Sequence, residues 1–179
     1  LQTGQNGSEK MKDIENYVKK AKNGDTDSFG MAYEMIEKDL YKFAYYMVKN
    51  ENDACDAVQN ACLFAFQNLK KLNKNSSFKP WMMKILANEC KKILMSKQKF
   101  SGNDIADFED NTGYDDVNFS DTEYLLSGLS YEEKNIIVLS VLYGYKSSEI
   151  SDIIGINANT VRTKRKRALE KMKDKLKGE

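Results

Sequence analysis

The sequence contains no histidine at all, a single proline, one tryptophan and three cysteines among 179 residues. Histidine is the commonest general base and the commonest metal ligand, so its absence excludes Ser-His-Asp and Cys-His sites outright. Cys55, Cys62 and Cys90 have no metal-ligand spacing, and an odd count does not suit a disulfide framework. They read as small, buried, reduced residues of a cytoplasmic protein. No apolar run reaches the roughly eighteen residues of a membrane span. The stretch from Leu1 to Lys10 is polar, with no apolar segment of the signal-peptide kind behind it. Without histidine mainly a carboxylate or lysine mechanism remains for an enzyme, and no pair of such groups stands out, so no catalytic, cofactor or metal site is expected.

Helix-forming residues are plentiful: 41% of the chain is hydrophobic and 31% charged, and Leu, Ile, Lys, Glu, Met and Ala dominate outside one central stretch. The expected fold class is all-α, two small helical domains joined by an acidic flexible linker. Residues 1–11 are expected to be a disordered N-terminus or a cloning remnant, with Met11 as the natural start. Residues 12–99 form the first domain. Ile14, Tyr17, Val18 and Ala21 lie at helix spacing, and Asn23-Gly24 ends that helix. A second helix runs from Asp27 or Ser28 through Phe29, Tyr33, Ile36, Leu40, Phe43 and Val48. A third begins at Asp53 and carries Ala57, Val58, Ala61, Leu63, Phe64 and Leu69. After a polar loop from Asn73 to Ser77, Pro80 suits the first turn of a fourth helix, where its missing N–H is no loss.

Net charge is only +1, but its distribution is uneven. From Phe100 to Glu133 there is no lysine or arginine, and Asp104, Asp107, Glu109, Asp110, Asp115 and Asp116 crowd the first half. Residues 100–120 therefore read as the acidic linker, either a plain solvated connection or a strand of negative charge that occupies a basic channel on a partner. Residues 121–179 form the second domain. Ser130 and Glu133 make a capping box. A helix near Ser147 to Ile154 ends at Gly155, a left-handed cap, and Asn157 caps the next helix after a turn of about three residues. A small residue, Ser151, before that turn and a β-branched one, Val161, after it allow two helices to cross closely. This is a helix-turn-helix. On its second helix Val161, Ala168, Met172 and Leu176 share a core stripe, while Arg162, Thr163, Lys166 and Arg167 face outward, placed for a major groove.

Leu129-Ser130-Tyr131-Glu132-Glu133-Lys134, Glu149-Ile150, Gly155-Ile156, Thr160-Val161-Arg162 and Arg167-Ala168 resemble the fourth conserved region of extracytoplasmic-function sigma factors. Asp53-Ala54-Cys55-Asp56-Ala57-Val58-Gln59-Asn60 is similar to the family's DAEDLVQE segment, and Phe78 to Asn88 to its FxxWLxxIAxN segment. The resemblance covers about residues 12 to 179, in the right order. It implies that Asp53, Asp56, Gln59, Asn60 and Leu63 meet a clamp coiled coil of core RNA polymerase. It implies that Asn88 lies near the extruded base of the proximal promoter element, and that Asn73, Lys74, Asn75, Ser76, Ser77 and Phe78 wall its pocket. Lys91 and Lys92 would follow the melted strand's phosphates. Arg162, Thr163, Lys166 and Arg167 would read the upstream element in duplex DNA, with Asn159 and Thr160 near its backbone. An anti-sigma factor is a further implied partner.

Three departures stand out. Arg165 occupies a position usually apolar in the family, where it must snorkel or sit at the domain edge. Asn60 replaces the usual glutamate and Cys55 an acid, making the polymerase-facing surface less negative. The other reading is an autonomous helix-turn-helix regulator whose N-terminal helices dimerise or sense a ligand. It accounts for the second domain and leaves the segments Asp53 to Asn60 and Phe78 to Asn88 unexplained.

Overall fold

A computed structural model describes residues 3–101 and 117–177, and its elements are helical. The first domain holds α1 (Thr3–Lys22), α2 (Thr26–Glu34), α3 (Glu37–Val48), α4 (Glu51–Asn68) and α5 (Phe78–Ser101), with short 3₁₀ turns at Leu69–Lys71 and Asn75–Ser77. The second holds α6 (Val117–Leu126), α7 (Tyr131–Ile137), a π-helical turn (Val138–Leu142), α8 (Ser147–Ile154) and α9 (Ala158–Lys177). Most of the expected acidic linker, residues 102–116, lies outside the described residues.

Local chemistry explains where several helices start. The Asn50 side chain accepts the Asp53 N–H at 3.0 Å, so α4 begins at Glu51 rather than at Asp53. Three further expectations are corrected. Residues 3–11 are helical rather than disordered, because Glu9 to Lys12 are good helix formers and extend the turns anchored by buried Ile14 and Val18. The α6 helix starts at Val117, inside the stretch assigned to the linker. Its C-terminal end is held by Lys175, whose ammonium donates to the Tyr124 carbonyl at 3.1 Å and to Ser127, and an anchored helix propagates upstream. The single helix expected from Asp27 to Val48 is broken at Met35–Ile36. There α2 turns onto α1 while α3 turns onto α4 and α5, and one straight axis cannot serve both.

The first domain's core is built around α4, whose buried stripe is Ala54, Ala57, Val58, Ala61 and Ala65. Small side chains let α3 and α5 approach closely, bringing Leu40, Phe43, Met82, Met83 and Leu86 into full burial. Leu63 and Phe64 of the same helix are exposed, because the alanines take the inward face.

In the second domain the capping box is present: Ser130 Oγ accepts the Glu133 N–H at 3.3 Å and Glu133 Oε2 accepts the Ser130 N–H at 2.9 Å. Lys171 of α9 adds donors at 2.9 Å to both Glu133 oxygens, fastening α9 to the start of α7. Burial pushes the Glu133 carboxyl up, but Lys171 and hydrogen bonding with Ser130 outweigh it and hold the group below its ordinary value. A depressed carboxylate pKa stabilises the fold above the unfolded-state value, and that contribution is lost as pH falls through the folded-state value. Glu133→Ala is therefore expected to lower stability by about 1–2 kcal/mol at neutral pH and to flatten the acid limb of unfolding. Denaturant titrations at neutral and acid pH measure both effects.

The domains pack on each other. Tyr131 Oη donates to the Ala87 carbonyl of α5 at 2.6 Å, and Tyr143 Oη to the Asp39 carbonyl of α3 at 2.7 Å. The Tyr143 ring meets Phe43 edge-on at 6.5 Å, and the Lys79 ammonium lies 5.5 Å from its centroid while pairing with Asp39.

Candidate nucleic-acid interface

Three surfaces carry the candidate residues. On α5, successive turns place Trp81, Lys84, Asn88 and Lys91 on one face, at helix spacings of three and four residues. Lys84, Asn88 and Lys91 are exposed and Trp81 is half-buried, with its ring 6.5 Å from that of Phe78. Lys92 lies at the edge of this face and pairs with Glu89 at 2.7 Å. Lys84 escaped the sequence reading, although its spacing of four from Asn88 was visible there.

The loop from Asn73 to Ser77 is polar and lies beside this face, with Asn73, Lys74 and Ser76 exposed and Asn75 and Ser77 half-buried. Phe78 does not join them. It is 0% exposed, wedged edge-on against Phe29 at 6.0 Å, so it cannot touch a base. A large apolar ring at the start of α5 is drawn into the core, which takes Phe78 out of the exposed wall expected of it. Lys71, Asn73, Lys74, Trp81 and Lys84 line a cleft of about 470 Å³, closed on its far side by Glu149, Asp152 and Ile153 of α8.

On α4, Asp56, Gln59, Asn60 and Leu63 are exposed on one face, as expected, and Phe64 beside Leu63 is exposed too. Asp53 stands apart from them. Its carboxylate pairs with Lys97 of α5, and its side chain is only 17% exposed, because the first turn of α4 packs against the end of α5. A groove of about 400 Å³ runs along this face, lined by Tyr33, Tyr41, Val58 and Gln59 among others.

The helix-turn-helix is formed by α8 and α9. Gly155 has φ +74, a conformation open to glycine, and there the backbone rather than space is what demands the residue. Ser151 Oγ donates to the Ile156 carbonyl at 2.6 Å, tying the turn, and Asn157 Oδ1 accepts the Asn159 N–H at 2.8 Å. Val161 and Ala168 are fully buried and Met172 half-buried, but Leu176 is exposed because α9 outruns the domain core. The structure then divides the basic residues of α9. Lys164 pairs with Glu132, Lys171 with Glu133, and Lys175 holds α6. Arg165 lies at the domain edge, its Nε donating to Ser140 Oγ at 3.2 Å, so the charge stays out of the core. Arg162, Thr163, Lys166 and Arg167 remain on the outward side with Asn159 and Thr160. Arg162 also donates to Asn159 Oδ1, and Thr163 Oγ1 to the Asn159 carbonyl at 3.0 Å. Lys173, one turn beyond Glu170, extends this face and was not singled out from sequence.

No group of acidic residues and cysteines among the described residues is arranged to hold a metal ion. No described helix is long and apolar enough to cross a membrane.

Comparison with known proteins locates these surfaces within a family. The profile described as Sigma-70 region 2 matches residues 32–100, and that described as Sigma-70, region 4 matches residues 121–172. The RNA polymerase sigma factor SigV of Bacillus subtilis (strain 168) is 32% identical over 142 residues, 78% of this chain and 86% of that protein. ECF RNA polymerase sigma factor SigW of the same organism is 24% identical over 180 residues, 91% of this chain and 96% of that protein. The sigma factor RpoE of Bartonella quintana, solved with the anti-sigma factor NepR, shares the fold with a TM-score of 0.72 at 21% identity. The match covers 83% of this chain and 96% of that one.

Proposed function

This chain belongs to the RNA polymerase sigma factors of the extracytoplasmic-function class, and on that premise we propose how its surfaces divide the work. As an alternative sigma factor it binds core RNA polymerase and directs promoter recognition, DNA opening and transcription initiation. Residues 12–99 bind the polymerase and open the proximal element, residues 100–120 connect the domains, and residues 121–179 hold the upstream element. The observation that carries this division is the pair of outward faces on α5 and α9, each polar and basic, each on a rigid helix.

On α4, Asp56, Gln59, Asn60 and Leu63 meet the polymerase clamp, with Phe64 adding apolar area; Asp53 contributes by fixing α4 against α5 through Lys97. On α5, Asn88 reads an extruded base while Lys84, Lys91 and Lys92 track the strand's phosphates. The loop Asn73 to Ser77 walls the pocket, with Phe78 supporting it from below. A base can be read on its Watson–Crick edge only after it leaves the stack. On α9, Arg162, Thr163, Lys166 and Arg167 enter the major groove and Asn159 and Thr160 approach its backbone. The protein supplies no chemistry of its own and acts as a DNA-binding regulator of the polymerase. An anti-sigma factor is its proposed inhibitor, as NepR is the anti-sigma factor bound to the Bartonella protein.

Mixing the purified chain with core polymerase tests the reading. Co-elution and promoter-dependent transcription are expected; tight promoter binding by the chain alone, with no polymerase captured, would instead identify an autonomous regulator. Asn88→Ala is expected to slow strand opening about tenfold or more while leaving duplex contact unchanged, as read by permanganate footprinting against a mobility shift. Equal footprints for variant and parent would remove Asn88 from the site.

A further inference from the structure

The loop from Asn73 to Ser77 is held at its two ends in different ways. Downstream, the buried Phe78 ring pins it, and the Ser77 and Phe78 N–H groups close short turns onto the Lys74 and Asn75 carbonyls. Upstream, Leu72 buries its side chain and leads the backbone out of the core in an extended conformation, at φ −70 and ψ 111. No described backbone N–H donates to the Leu72 carbonyl. Its partner is the Lys22 ammonium, from the last turn of α1, 50 positions away in sequence.

Local sequence brings Lys22 there. It follows Val18 by four residues, so its stem runs along the flank of the stripe that Ile14 and Val18 bury, and only its tip has to find a polar group. Gly24, at φ +104, ends α1 just beyond it, and the Gly24 N–H closes onto the Ala21 carbonyl at 3.0 Å. α1 therefore stops beside the two 3₁₀ turns that flank the loop and packs on both. No residue of α1 has a role named above.

A partly buried carbonyl with a single donor depends on that donor, and a bond from an ammonium is stronger than one from a neutral group. Without it, the peptide unit between Leu72 and Asn73 can rotate toward water. Rotation there swings Asn73 and Lys74, the first two residues of the wall. We propose that Lys22 is a positioning residue for promoter reading: it clamps the Leu72 carbonyl and so sets where the 73–77 loop stands against the extruded base. Its ammonium is directed into the fold and touches no DNA. The proposal rests on the assignment of that loop to the base pocket, and it adds α1 to the elements that decide base preference.

The test compares Lys22→Ala and Lys22→Arg with the parent. Hydrogen exchange on the free chain reads the clamp. Amides of residues 73–77 should exchange about tenfold faster in Lys22→Ala, with buried amides of α4 and α5 unchanged, and should return toward the parent rate in Lys22→Arg. Base preference is read on the chain bound to core polymerase, from the sequences it retains out of a pool of short, randomised single strands. Lys22→Ala is expected to lower preference at the best-discriminated position about three- to tenfold, and Lys22→Arg to restore most of it. The salt dependence of strand affinity should be the same in all three, since a lysine seated on a phosphate would take about 0.7 of a unit of slope with it. Unchanged loop exchange, or a reduced salt slope in Lys22→Ala, would overturn the positioning role. So would an unchanged base preference in Lys22→Ala where Asn73→Ala and Ser76→Ala lower it. If those two loop variants also select bases as the parent does, the assignment of the loop to the base pocket falls, and the proposal with it.

Discussion

Arg167→Ala is expected to abolish measurable transcription from a promoter that depends on its upstream element, while co-elution with core polymerase is unchanged. At about 100° per residue, Arg162 and Arg167 stand about 140° apart on α9, one on each flank of the outward face. A helix seated in a major groove would present them to opposite walls, with Thr163 and Lys166 between them. Arg162 is steadied by Asn159, whereas no described residue holds Arg167, so its guanidinium is free for the DNA. A bidentate contact to guanine is worth about 1–3 kcal/mol, roughly a tenfold to hundredfold loss of occupancy when it is removed. A template melted in advance and lacking the upstream element should be used equally well by variant and parent. Lys171→Ala provides the contrast. Its ammonium serves Glu133, so the substitution should lower stability rather than change which sequence is preferred.

Phe78→Ala is expected to cost about 3–5 kcal/mol, much of the stability of a small domain. The ring is fully buried between Phe29 and Trp81, and truncation leaves a cavity beneath the 73–77 loop and at the first turn of α5. Chemical denaturation measures the loss. Asn73→Ala and Ser76→Ala, on the exposed side of the same loop, should stay within about 0.5 kcal/mol of the parent while weakening single-strand binding. The opposite pattern, a stable Phe78→Ala that fails to bind a strand, would return Phe78 to the pocket wall.

The recognition helix was well specified by sequence because its signals are local. Glycine at the turn, the Asn157 cap, and apolar residues at helix spacing are properties of consecutive residues, and each is found in place except Leu176 at the end of the stripe. The face of α4 was less well specified. Phe64 looks inward by residue type, yet the alanines take the interior, since close helix approach rewards small side chains over large ones. Phe78 shows the reverse: a residue placed in a binding loop by motif is drawn into the core by its own ring. Lys84 and Lys173 were within reach of helix periodicity, but nothing local marks one exposed lysine among many.

From its sequence alone the chain is determined to be helical, to lack the side chains for histidine-based catalysis, and to present a helix-turn-helix with a basic outer face. These follow from residue types and short spacings. Tertiary structure decided which charges remain available. Lys164, Lys171 and Lys175 look no different in sequence from Lys166 and Lys173, and only the position of Glu132, Glu133 and Ser127 across the domain sets them apart. It also decided that Asp53 faces Lys97 and that two tyrosine hydroxyls reach carbonyls in the other domain. Such contacts join residues 32 to 104 positions apart, and no local pattern encodes a partner at that distance.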